Sequence, residues 1–160
     1  YLPFENMTFQ NRFISILLFV LTVSCKNEIK TEKGISDEDL IFMTKIGLLD
    51  NKEKIILFDS QEGLIGSQKS GNFISNKRIA SYWIDKDREN KTSINYALYG
   101  EIDSIKFKDL SNALTYASYL EIFKSDGSRF KVYVDADSVN TWKFFGKANE
   151  EWMKNKINGR

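Results

Sequence analysis

The spacing of apolar residues changes along this chain, and each change predicts a different element. From Phe13 to Val23 the run is apolar except at Ser15 and Thr22. At about 1.5 Å per residue it would cover roughly half of a ~30 Å hydrocarbon core, which suits the apolar centre of a signal peptide and not a membrane span. Lys26 to Gly34 is polar almost throughout and reads as a flexible tether. Ser36-Asp37-Glu38-Asp39 then opens a helix. Ser36 can cap, Asp39 takes the capping-box position, and the acids favour the positive end of the dipole. Phe42, Ile46 and Leu49 follow as its apolar face, and Asn51 marks the exit.

Beyond Asn51 the period drops to two. Ile55 and Leu57 form a short strand, followed by a turn around Gly63 and a Gly- and Ser-containing segment to Gly71. Ile79, Ser81 and Trp83 alternate with Ala80, Tyr82 and Ile84, and Asp85 to Lys91 is a charged loop. Ile94, Tyr96 and Leu98 alternate again, as do Ile105 and Phe107 with Lys106 and Lys108. Leu120 and Ile122 lead into Ser125-Asp126-Gly127-Ser128, a strong hairpin signal, and Phe130, Val132 and Val134 form the inner face of the returning strand. Leu110 to Tyr116 fits turn, helix and strand alike.

The chain closes with a second helix, capped near Asp137 or Ser138. Val139, Trp142, Phe145, Ala148 and Trp152 recur at three- and four-residue steps, an aromatic stripe expected to be buried. Strands in meander order closed by an amphipathic helix predict a mainly β fold: a curved antiparallel sheet or partly open barrel of about seven strands. A lipocalin-like barrel and an α+β sheet with two packed helices are the rival arrangements.

Three runs carry a resemblance: Glu53 to Phe58, Gly71 to Ile79, and Tyr99 to Ile105. They look like successive strands of bacterial PH-like domains, a family that often carries a strand ending in Asp-Gly (here Asp126-Gly127) and a final helix with an aromatic face. The resemblance covers roughly Ser36 to Lys156. It implies a fold used for binding lipids, peptides or protein partners, or for self-assembly, and it implies no reaction. The domain is expected over residues 36–157.

Composition narrows the chemistry. With 23 Lys and Arg against 22 Asp and Glu, the net charge of +1 lacks the basic excess that nucleic-acid binding requires. There is no histidine, so a Ser-His or Cys-His catalytic pair is excluded, and the commonest zinc ligand is missing. The chain holds a single cysteine, so no internal disulfide can form.

That cysteine falls directly behind the apolar run. Leu21-Thr22-Val23-Ser24-Cys25 resembles the lipobox of bacterial lipoproteins, with Thr22 standing where Leu is usual. The resemblance implies cleavage after Ser24, diacylation of the Cys25 sulfur, and acylation of the new amine by a chain such as palmitate. Residues 1–24 are then the signal peptide, with Met7 as the expected initiator and residues 1–6 lying upstream of it. Residues 25–35 form the lipidated cysteine and tether. Two or more acyl chains anchor stably where one binds only marginally. The expected location is the bacterial cell envelope, at the outer membrane or the surface where there are two membranes, because Lys26 is not the Asp that resembles an inner-membrane retention signal.

Other constellations are weak. Asp85, Asp87 and Glu89 resemble part of a calcium loop, but the sixth-position Gly is missing and Tyr96 stands in place of the bidentate Glu. Ser128 and Lys131 have the Ser-x-x-Lys spacing, but on a strand and not on a helical turn. Lys52, Lys54, Lys69, Lys77 and Arg78 read as surface charge. Trp83, Trp142 and Trp152 could line a ligand pocket, but Trp142 and Trp152 share a helix face and read as packing residues. The expectation is therefore a membrane-tethered, non-catalytic domain without cofactor or metal. It would bind a protein partner or associate with itself, through ligand-binding residues that the sequence does not assign. The alternative is an apolar-ligand or lipid carrier with a barrel cavity.

Overall fold

The computed structural model describes residues 29–60, 69–85, 87–88, 91–113 and 116–158. The first helix, α1, spans Asp37–Lys45. Ser36 caps it by accepting the Asp39 N–H at 3.2 Å. It ends where Gly47 turns left-handed at φ +76°, letting the Leu48 N–H reach back to the Met43 carbonyl.

Seven strands follow: β1 (Ile55–Asp59), β2 (Ser70–Ser75), β3 (Arg78–Trp83), β4 (Ser93–Leu98), β5 (Ile102–Lys108), β6 (Ser118–Lys124) and β7 (Arg129–Val134). They pair antiparallel in two sheets, β1-β2-β3-β4 and β5-β6-β7. The long helix α2, Ser138–Asn158, closes the fold. This is the mainly β architecture expected, with the short leading helix and the closing helix in place. The predicted hairpin at Asp126-Gly127 joins β6 to β7. Gly127 has φ +83°, and Asp126 accepts the Ser128 N–H at 2.8 Å.

Two expected strands take a different form. The run Gly71 to Ile79 is a hairpin, because Ser75 Oγ accepts the backbone N–H groups of both Lys77 and Arg78 and turns the chain there. Tyr99–Glu101 is a short 3₁₀ turn that carries the chain from the first sheet to the second, so the strand begins at Ile102. After β5 the Asp109 carboxylate accepts from the Ser111 N–H at 2.9 Å and the Ser118 hydroxyl at 3.3 Å.

In the first sheet, β1 to β3 are covered on both faces. Its inner row Leu57, Ile74, Ile79 and Ala97 meets Leu120, Ile122, Val132 and Val134 of the second sheet and Phe144, Phe145 and Ala148 of α2. Its outer face, with Phe58, Phe73, Ala80 and Tyr82, packs beneath α1 against Met43, Leu48 and Leu49. Packing on two sides explains why β1 to β3 mix both registers of apolar residues.

The closing helix is rotated from the face expected. Asp137 caps it, accepting the Asn140 N–H at 2.8 Å. Its buried line runs through Thr141, Phe144, Phe145, Ala148 and Glu151. Val139 is 79% exposed and Trp142 54%, so the expectation that both are buried is corrected. Trp142 lies at the rim, edge-on to Phe145, with its indole N–H given to Asp109 at 2.9 Å. Trp152 does pack against the core, and its indole N–H reaches the Ile102 carbonyl at 3.2 Å.

Part of the stretch 25–35 expected as a tether packs on the fold. Ile29 and Ile35 are buried, and Lys30 exchanges two backbone hydrogen bonds with Phe58, each 2.8 Å, as a bridge on β1. From Ile29 onward the chain belongs to the fold.

Candidate functional site

Lys77 and Arg78, read as surface charge, belong to an ion-pair cluster that includes a buried pair. The turn set by Ser75 swings Arg78 inward, where its side chain is 4% exposed and meets a fully buried Glu53 at 2.9 Å. Arg78 also reaches Asp50 at 2.8 Å, and Lys77 reaches the same carboxylate at 3.1 Å. Hydrogen bonding from Lys77 and then Arg78 holds the Asp50 carboxyl below its usual range. Ser75 donates to Glu53, while Tyr99 donates its hydroxyl to the Ser75 carbonyl at 2.6 Å. Both oxygens of Glu53 and the donor fork of Arg78 are thus engaged, as a buried ion pair requires. The sequence signal for this, an acid 25 residues before an Arg at a Ser-x-x-Arg turn, is too generic to have been recognised.

The guanidinium supports a surface. The ring of Tyr96 lies 4.8 Å from its central carbon, a cation–π contact. Tyr96 is the middle of the outward row Ile94, Tyr96 and Leu98 on β4, which is 39%, 41% and 38% exposed. α1 covers β1 to β3 on that side and leaves β4 uncovered. β4 also ends its sheet: among the described residues no strand pairs with its other edge.

The opposite face of β4 is chemically different. Directly paired residues on neighbouring antiparallel strands share a face. Two successive rows on the inner face are therefore Asp59, Asn72, Ser81 and Asn95, and next to it Ser70, Trp83 and Ser93. Apart from Trp83 they are polar, whereas the row behind them is wholly apolar. They lead into an open groove of about 470 Å³ between the first sheet and β7, lined by Ser81, Tyr82, Trp83, Ser93, Asn95, Lys131 and Tyr133. Lys131 sits 4.1 Å from the Tyr119 ring centre, and Lys69 lies over Trp83 at 5.1 Å.

At the buried end of these rows Asp59 is 0% exposed. One of its carboxylate oxygens accepts the Asp135 N–H at 3.0 Å; the other, Oδ1, has no hydrogen-bond partner, and neither do Asn72 Oδ1 and Ser70 Oγ. Burial pushes the Asp59 carboxyl up to about 6, against the hydrogen bond from Asp135 and with the help of that residue's own negative charge.

The remaining constellations separate. Asp85 spends its carboxylate on the N–H groups of Asp87 and Arg88 and on the Arg88 side chain, while Glu89 lies outside the described residues. Among the described residues no acids gather as a metal site. Ser128 bonds Asp126 in the hairpin turn, away from any helix, and Lys131 lies on β7. The lipobox residues Leu21, Thr22, Val23, Ser24 and Cys25 lie outside the described residues, and no described helix is long and apolar enough to cross a membrane.

No family model matches the chain, and no curated protein matches it either. Among solved structures, the chain is similar to a DUF1696 family protein with a pleckstrin-homology domain from Shewanella loihica PV-4. The two share 13% identity over 74% of this chain and 93% of that one, with a TM-score of 0.47.

Proposed function

We propose that this chain is a lipid-anchored, non-catalytic binding domain of the bacterial cell envelope, and that it engages a protein partner by adding a strand of that partner to the edge of β4. The observation that carries this reading is the character of that edge. Exposed edge strands are ordinarily guarded by charge, proline or a bulge. Ser93-Ile94-Asn95-Tyr96-Ala97-Leu98 has no charge and no proline, and its pairing with β3 is unbroken in register. An incoming strand gains backbone hydrogen bonds from such an edge and side-chain contacts from Ile94, Tyr96 and Leu98.

The carrier reading requires apolar space between α2 and the sheets. Phe144, Phe145, Leu120 and Ile122 fill that region and are all fully or almost fully buried. The interior therefore favours the partner reading. Anchoring rests on the lipobox resemblance: a diacylated Cys25 would hold the domain on the membrane where the partner resides.

The test is site-specific photo-crosslinking in cells, with a benzophenone amino acid replacing Ile94 in the full chain and, as a control, Lys106 on the second sheet. One defined protein crosslinked from position 94 and not from 106 supports the reading. Crosslinks solely between copies of this chain, or none, overturn it. Metabolic labelling with an alkynyl fatty acid tests the anchor: label lost in Cys25→Ser supports it, and label absent from the unaltered chain overturns it.

A further inference from the structure

The inner face of the first sheet divides between two chemistries within two residues of strand length. The row Leu57, Ile74, Ile79 and Ala97 is sealed in the core, while the next rows bring Asn72, Ser70 and Asp59 to near-complete burial with one polar atom each left without a partner. Unsatisfied buried acceptors are costly, by about 1–3 kcal/mol apiece. The three lie on the face whose exposed continuation, Ser81, Trp83, Ser93 and Asn95, lines the groove, and this points to a polar site that takes donors.

We propose that the groove between β3–β4 and β7 is a binding site for an uncharged saccharide. Trp83 and Tyr133, each 39% exposed, offer ring surface to the C–H faces of a sugar. Ser81, Ser93 and Asn95 line the groove with groups that donate and accept, and the same rows run inward to Asn72, Ser70 and Asp59, each with a polar atom left without a partner. Other ligand classes fit less well. A fatty chain leaves both polar rows unpaired. An anion finds Lys131 alone and approaches a buried carboxyl; a polyamine meets Lys131 and Lys69 at the mouth. The groove volume of about 470 Å³ falls in the ~300–1,000 Å³ range of small-molecule sites.

Because the site uses the opposite face of β4 from Ile94, Tyr96 and Leu98, its fate is separable from that of the partner surface. The experiment is calorimetric titration of the detergent-solubilised full chain with chitotriose, maltotriose, spermine and inositol hexakisphosphate. Saturable binding of at least one of the two saccharides is expected. Asn95→Ala and Trp83→Ala should each weaken it about tenfold, the equivalent of one good contact. Ile94→Lys, on the other face, should leave it unchanged. Asn95 is exposed, so its variant keeps the test intact even where Trp83→Ala fails to fold. No saccharide binding, binding of spermine or inositol hexakisphosphate alone, or saccharide binding indifferent to both groove variants overturns the proposal.

Discussion

Gly71 lies so close to Phe58 that a Cβ built on it would stand 2.6 Å from the aromatic ring, and 2.9 Å from Tyr82. Both rings are buried beneath α1, so neither can swing aside into solvent. Gly71→Ala should therefore destabilise by about 1–3 kcal/mol, the usual cost of overpacking. Urea unfolding measures it. Phe58→Leu in the same chain should recover part of the loss, and a purely additive double variant would show that the two residues do not compete for space.

Arg78 makes a second prediction. Removing Glu53 leaves a buried guanidinium with only the half-exposed Asp50 as its acid, so Glu53→Ala should cost about 3 kcal/mol. Asp50→Asn removes an exposed acid whose pairs with Lys77 and Arg78 water already screens, and should cost clearly less than Glu53→Ala. Thermal denaturation of the two variants distinguishes them, and equal losses would count against the buried pair as the one that matters.

The Asp59 carboxyl sets a pH dependence of unusual sign. The folded protein holds its proton up to about pH 6, whereas the ordinary carboxyl releases it near 3.8. The native state thus binds more protons between those values, so stability falls as pH rises from about 4 to about 6 and then levels off. The total is about 3 kcal/mol. Asp50, Asp85 and Asp126, whose carboxyls are lowered, act oppositely at the acid end of the scale. The quantity to measure is accordingly the difference between the unaltered chain and Asp59→Asn, which keeps an acceptor for the Asp135 N–H. The variant should gain on the parent as pH rises through that window. A constant difference would refute the assignment.

Two of the aromatic residues on α2 should behave unequally. Phe144→Ala empties a fully buried site and should cost about 3–5 kcal/mol. Trp142→Phe keeps the ring contact and loses one exposed hydrogen bond to Asp109, for about 1 kcal/mol or less. Chemical denaturation gives both values, and a large loss from Trp142→Phe would restore the buried stripe that the spacing suggests.

Much of the fold is legible because its signals are local. Ser36 capping, the Asp126-Gly127 turn and the alternation in β6 and β7 depend on neighbours a few residues away, and all appear as read. What the sequence hides depends on distant partners. The orientation of α2 is set by which residues the sheets can receive, and aromatic bulk misled where small Thr141 and Ala148 make the close approach. The hairpin at Ser75 escapes notice because Asn76-Lys77 is no glycine turn; a side-chain hydroxyl does the turning. The polar rows were visible only as ordinary strand residues. Ser70 and Asn72, Ser81, and Asn95 come from three separate stretches, and registering three strands is what places them side by side.

The seating of Ile29 and Lys30 on β1 has a geometric consequence for a chain acylated at Cys25. Four Cα-to-Cα steps separate that cysteine from Ile29, and fully extended they reach no more than about 15 Å. With that anchor in place, so short a leash would keep the domain close to the lipid headgroups. It would hold the β1 side of the first sheet nearer the bilayer and leave β4, three strand spacings or about 14 Å across, toward the aqueous side.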